Sequence, residues 1–334
     1  MIFRTEIEVA PPGWAIDHGT RIVAVGSCFA GNMAARLARA KFTVSANPFG
    51  VMFNPVSVAG CLDRLLDGTT YTEDELVTDG DLWFSFDHHG SLAAPTAAEA
   101  LEKMNTALSV GGKALREAEV LVVTLGTAWV YMRGRREGQG GNEGGVSGGG
   151  RVVANCHKRP EAEFTRRCLA PDEAADALSD VFARLPAKHI ILTVSPVRHV
   201  RDGLEGNSLS KATLIVAAHA LAARDQRVLY FPSYEMVVDD LRDYRFYSTD
   251  MVHPSEQAVT YIWEKLCAAL MSAATRDLAR EAERLSAAMA HRPLNPGTEG
   301  YREFRRAMHT RCAALAAAHP ELDLRAELEY FANE

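Results

Sequence analysis

Five short, almost wholly apolar runs punctuate the chain: Arg21–Val25, Phe42–Ser45, Val120–Leu125, His189–Val194 and Val228–Phe231. Between them lie longer stretches with apolar residues at helical spacing. Met33, Leu37 and Ala40 share a face after the first run, Leu101, Met104 and Leu108 before the third, and Leu178, Val181 and Leu185 before the fourth. A strand with no polar face must be covered on both sides, and helices crossing between parallel strands provide that cover. The spacing therefore predicts an α/β fold of flavodoxin-like order, a three-layer αβα sandwich on a five-stranded parallel sheet.

Other patterns divide the chain. An α/β domain is expected over residues 1–270, with a flexible Gly-rich insertion at 133–150. Within it, Gly138–Gly150 reads GQGGNEGGVSGGG. That tract has few side chains to bury and high backbone entropy, so it reads as a mobile loop. It lacks the Gly-Lys-Ser/Thr of a phosphate-binding loop and does not directly follow a strand. From Pro254 the chain becomes Ala-rich and helical, and a further helical stretch spans Tyr301–Ala318. Residues 271–334 are thus expected as a helical appendage, with apolar faces that would pack on the sheet domain or on a second subunit in a homodimer.

Composition narrows the function. Of 334 residues, 36 are Lys or Arg and 43 Asp or Glu, a net charge of −7. That sign gives little counterion release on a polyphosphate and argues against nucleic-acid binding. No segment approaches the roughly 20 continuous apolar residues of a membrane span, and Met1–Trp14 mixes Arg4, Glu6 and Glu8 with Pro11 and Pro12. Neither a signal peptide nor an anchor is expected. The six cysteines are scattered without a C-x-x-C pair, which suits a reducing, cytoplasmic setting.

In open parallel sheets, ligands sit beyond the carboxyl ends of the strands. The turns there are Gly26-Ser27-Cys28, Asn47-Pro48-Phe49-Gly50, Gly126-Thr127-Ala128-Trp129, Ser195-Pro196-Val197-Arg198-His199 and Pro232-Ser233-Tyr234-Glu235. Cys28 would open the first helix, where free N–H groups and the helix dipole favour a thiolate. The same positions also suit a serine N-cap followed by a small buried residue. Asp250-Met251-Val252-His253-Pro254 supplies an acid three residues before a histidine, a spacing that can orient an imidazole or simply cap a helix. Arg198, His199, Lys211 and Arg245 are candidates for binding a charged substrate group. A third cluster, Asp87-His88-His89, would suit a metal-dependent hydrolase, although it lacks an H-E-x-x-H spacing.

The GSCFA string at Gly26–Ala30 resembles the motif that names the GSCFA family, and the chain is similar to the wider SGNH, or GDSL-like, hydrolase superfamily. The similarity extends through Leu125-Gly126-Thr127, Asn155-Cys156-His157-Lys158, Ser195–His199, Asn207 with Ser210-Lys211, Phe231–Glu235, Asp243–Tyr247, Asp250–Pro254 and His291-Arg292-Pro293. The resemblance implies strand order 2-1-3-4-5 and places Cys28 at the nucleophile position, with Ser27 as the alternative. It implies Asp250 as orienter, His253 as base and Gly50 as an oxyanion-hole donor beside the Cys28 amide. The position of the superfamily's oxyanion-hole Asn holds Ala128, a loss that can cost about 3 kcal/mol of transition-state stabilisation. Thr127, Asn155 and Asn207 are candidate replacements. Asn47, Gly126, Asn155, His157 and Asn207 join the cationic residues as candidate substrate contacts.

A thiol nucleophile implies a thioester intermediate open to water, alcohol, amine or thiol. The expected function is hydrolysis or transfer of an acyl group on a small-molecule or carbohydrate ester or thioester. No cofactor is expected, with acyl-coenzyme A as a possible co-substrate. The alternatives are a non-catalytic acyl-ligand binding protein and the metal-dependent hydrolase.

Overall fold

The computed structural model describes residues 4–134 and 150–332. Its central sheet has five parallel strands: β1 (Arg21–Gly26), β2 (Thr43–Ala46), β3 (Val120–Leu125), β4 (His189–Val194) and β5 (Val228–Tyr230). Their order is 2-1-3-4-5. In register, Val23 pairs with Ser45 and Leu121, and Val122 with Ile191. The second strand lies one residue further along than the apolar run suggested, because Phe42 packs beneath His18 before the chain enters the sheet.

Alternation along β1 divides the core. Val23 and Val25 face α2 (Pro55–Asp67), α3 (Ala97–Glu117), α4 (Pro171–Arg184) and α5 (Gly203–Arg224), packing in one cluster with Leu62, Met104, Leu178 and Leu214. Ile22 and Ala24 face α1 (Cys28–Arg39) and α6 (Glu256–Leu270), in a second cluster with Met33, Leu37, Ile262 and Leu266. Each fully buried aliphatic side chain contributes roughly 1.5–3 kcal/mol, so both faces hold the sheet. Strand β3 is buried at every position, as its unbroken apolar run requires.

Two features were not read from the sequence. A hairpin pairs Val77–Thr78 with Trp83–Phe84, and a three-stranded antiparallel sheet places Trp129–Arg133 between Arg151–Val153 and Phe164–Cys168. The second sheet leaves the carboxyl end of β3 and becomes a wall of the cavity described below. All of the Gly138–Gly150 tract except Gly150 lies outside the described residues.

The tail forms α7 (Ala273–Ala290), α8 (Glu299–Ala318) and α9 (Arg325–Ala332), closed around Leu285, Cys312, Leu322 and Leu324. It joins the sheet domain through the Ser286 hydroxyl, which donates to the Arg39 carbonyl at 2.9 Å, and through Lys41 paired with buried Glu327 at 2.5 Å. Among the described residues no helix is long and apolar enough to cross a membrane.

Candidate active site

The site begins with a glycine that nothing else can replace. Gly26 ends β1 at φ +129°, and a Cβ there would lie 2.1 Å from the Thr124 carbonyl oxygen. Both the positive φ and the close approach demand Gly. The Asn47 side chain accepts from the Gly26 amide at 2.9 Å and so fixes the turn from behind. Ser27 then caps α1: its hydroxyl accepts from the Phe29 amide at 3.3 Å and pairs with Thr124 Oγ1 at 3.0 Å. Ser27 is only 1% exposed and fully committed to these bonds. Cys28 is the first residue of α1 and half-buried, so its amide is one of those at the helix start without an intrahelical acceptor. Burial pushes its thiol pKa up, while the Cys28 and Phe29 amides and the Lys211 ammonium pull it back.

Cys28 and His253, 225 positions apart in the chain, line one cavity of about 460 Å³. Phe53, Trp129, Tyr131, Val197 and Val252 supply its apolar wall. Asp250 holds His253 by three bonds. Its Oδ1 accepts from the Val252 and His253 amides at 2.9 and 3.0 Å, and its Oδ2 lies 2.7 Å from His253 Nδ1. The amide of His253, then its ring, hold the Asp250 carboxyl at about 2. Met251, at φ +56°, makes the turn that this arrangement needs. The pair is about half exposed, with side-chain accessibilities of 47% and 48%.

A second pair lines the same cavity. His199 Nδ1 lies 2.6 Å from Asp202 Oδ2, and the Asn207 side chain accepts from the His199 amide at 3.1 Å. Asp202 also pairs with Arg166, whose guanidinium lies 4.1 Å over the Trp129 ring. Burial, then Lys211 and Arg166, push the His199 pKa down to about 4. Asp202 would oppose that shift, but its charge is shared with Arg166. Neither imidazole is hydrogen-bonded to the Cys28 thiol.

Several expected residues fall elsewhere. Gly50 does not line the cavity, and its N–H closes a turn onto the Asn47 carbonyl at 2.8 Å. A Cβ on Gly50 would strike His89 at 2.2 Å, so the glycine serves loop packing. Gly126 and Thr127 do line the cavity, yet both amides donate to the Phe53 carbonyl and the Thr127 hydroxyl pairs with Ser210 at 3.1 Å. Asn155 accepts from the His157 amide, and His157 stacks on Phe84 with Nε2 3.0 Å from the Ser85 carbonyl; neither lines the Cys28 cavity. Asn207 works one layer behind, through His199. Arg245 pairs with Asp243 at 3.2 Å beside a separate cavity. Arg198 does line the site, with no carboxylate partner among the described residues, and rests against Tyr244 and Tyr247.

Asp87, His88 and His89 do not converge as metal ligands. Asp87 pairs with Arg151, His88 is buried between Phe49 and Tyr71, and His89 bonds Ser91. Among the described residues no three His, Cys, Asp or Glu side chains are grouped to hold an ion.

Lys211 departs furthest from expectation. It is fully buried rather than on a rim, donating to the Gly126 and Ser195 carbonyls at 2.6 and 2.7 Å, with no carboxylate partner among the described residues. Burial pushes its pKa down to about 7. The two carbonyls belong to residues that line the cavity, so this ammonium ties the ends of β3 and β4 together under its floor. Its place was legible, because Asn207, Ser210, Lys211 and Leu214 share the buried face of α5 at helical spacing. Asp202 was missed because its partner lies three residues before it, the reverse of the Asp250–His253 order.

No curated protein matches the chain. The model of the GSCFA domain protein, C-terminal domain, matches residues 282–334, which cover most of the helical tail. The GSCFA family model matches residues 21–266, from the first strand through most of α6 and across the whole Cys28 cavity. The chain belongs to the GSCFA family.

Proposed function

We propose that this protein hydrolyses or transfers acyl groups of ester or thioester substrates through a covalent acyl-enzyme on Cys28, in the manner of an SGNH-type hydrolase. The observation that carries the reading is the shared cavity. A thiol at a helix N-terminus and an imidazole held by a carboxylate open onto one apolar pocket. A nucleophile, a base and an orienter are the minimum set for acyl transfer.

In the first half-reaction His253 Nε2 takes the thiol proton and the sulfur attacks the acyl carbonyl. The oxyanion forms against the Cys28 amide at the positive end of α1. Collapse of the intermediate expels the leaving alcohol or thiol, which takes the proton back from His253. Asp250 stabilises the transient imidazolium. The proton reaches His253 when substrate tightens the cavity, since catalytic hydrogen bonds are often long in the free enzyme. Arg198, which lines the cavity without a carboxylate partner among the described residues, is the group for an anionic portion of the substrate, such as the phosphates of an acyl-coenzyme A thioester.

The experiment is turnover of 4-nitrophenyl acetate and of acyl-coenzyme A thioesters of graded length by three proteins. Cys28→Ala should lose at least about 10³-fold in kcat/KM. Ser27→Ala should keep turnover and lose only about 1 kcal/mol of stability with its helix cap. Full activity in Cys28→Ala, or its loss in Ser27→Ala alone, overturns the assignment. Tight binding of these donors without turnover would favour an acyl-ligand binding protein.

A further inference from the structure

Two His–Asp pairs on one cavity exceed what a single nucleophile needs. We infer that His199, oriented by Asp202, is the general base for a hydroxyl-bearing acyl acceptor in the second half-reaction, an inference that rests on the acyl-enzyme reading above. A carboxylate only accepts, so the 2.6 Å contact to Asp202 puts the ring proton on Nδ1 and leaves Nε2 with a lone pair. That Nε2 is buried and has no hydrogen-bond partner among the described residues, while its ring forms part of the cavity wall. A buried acceptor without a donor is costly. A small turn of the ring toward the cavity would let a bound molecule supply that donor.

The surroundings suit this role. Asn207 fixes the His199 backbone, and Arg166, stacked on Trp129, fixes Asp202. Besides Arg166 and Asp202, the charged and titratable groups sharing the site are Lys211 beneath the floor and Cys28, Tyr131, Arg198, Arg201 and His253 on the cavity lining. Burial, and after it the positive charges of Lys211 and Arg166, disfavours an imidazolium and keeps His199 unprotonated at neutral pH. The His253–Asp250 pair sits outside these bonds, at a half-exposed edge.

The step balances without a cofactor. The acceptor oxygen attacks the thioester carbonyl while His199 Nε2 takes its proton, forming the C–O bond. Collapse breaks the C–S bond, the electron pair returns to the Cys28 sulfur, and the proton passes from His199 to that sulfur. The product is an ester when the acceptor is an alcohol and an acid when it is water.

Rapid-quench measurements with 4-nitrophenyl acetate separate the two halves. The 4-nitrophenolate burst reports acylation, and decay of the acyl adduct by intact mass reports deacylation, in water and with added methanol. His199→Gln should keep the burst within about twofold and slow adduct decay about tenfold or more. Asp202→Asn, which keeps the ring and loses its orienter, should show the same split. The burst also shows that each variant is folded. Decay at the wild-type rate in both variants, or a burst lost in both while their circular dichroism matches that of the wild type, overturns the inference, and a wild-type adduct on Cys28 keeps the acyl-enzyme. Absence of any wild-type adduct on Cys28 removes the acyl-enzyme reading and this inference with it.

Discussion

His253–Asp250 and His199–Asp202 join the same two residue types across the same sequence interval, with both imidazoles on the wall of one cavity, yet their surroundings are opposite. The first stands in an irregular turn about half open to solvent, its carboxylate saturated by two backbone amides. The second is largely enclosed, with side-chain accessibilities of 21% and 8%, and its carboxylate is shared with an arginine. The contrast teaches that environment, rather than residue type, separates the roles. An exposed pair can exchange a proton with solvent on every turnover. An enclosed pair keeps its imidazole neutral and its lone pair reserved for a bound molecule.

Removing the exposed ring draws the difference most sharply. His253→Gln should lower the acylation burst by about 10²–10⁴-fold, the range for a general base, and Asp250→Asn somewhat less. Stopped-flow release of 4-nitrophenolate checks this, and a wild-type burst in His253→Gln would reassign the base to His199.

Both pairs depend on the turn that presents Cys28. Gly26→Ala forces a Cβ against the Thr124 carbonyl at positive φ, and should cost at least about 2 kcal/mol in denaturant unfolding. A cost under about 0.5 kcal/mol would mean that the turn relaxes freely.

The enclosed pair also has a signature in stability. His199 titrates near 4 in the folded protein and near its ordinary 6.5 when unfolded. As pH falls, the unfolded chain takes up the proton first, so stability is full above about 6.5 and declines as pH falls toward 4. The decline is up to about 3 kcal/mol. His199→Gln should flatten that segment of the wild-type profile in thermal unfolding across pH. Parallel profiles for the two proteins would show that the ring is not held neutral.

The sequence carried the sheet because its strands are buried on both faces: Leu121, Val123 and Leu125 leave no other solution than helices on either side. The position of Cys28 followed for the same reason, since parallel order delivers strand ends to one rim, and His253, singled out by its spacing from Asp250, lines the same cavity. What escaped was whatever depends on contacts distant in the chain. Trp129 and Tyr131 alternate like strand residues, but their partners Cys168 and Arg166 are thirty-odd positions away. Lys211 read as a rim cation because its charge suggested solvent, whereas the Gly126 and Ser195 carbonyls draw it inside. Gly50 followed the second strand as expected, but local turn closure consumes its amide.

Peptide mapping by mass spectrometry after brief exposure to 4-nitrophenyl acetate tests the chemistry most directly. The account predicts one acyl group, carried on the peptide containing Cys28, absent in Cys28→Ala and undiminished in Ser27→Ala. An acyl group found on Ser27 or on another cysteine, with Cys28 unmodified, would contradict it.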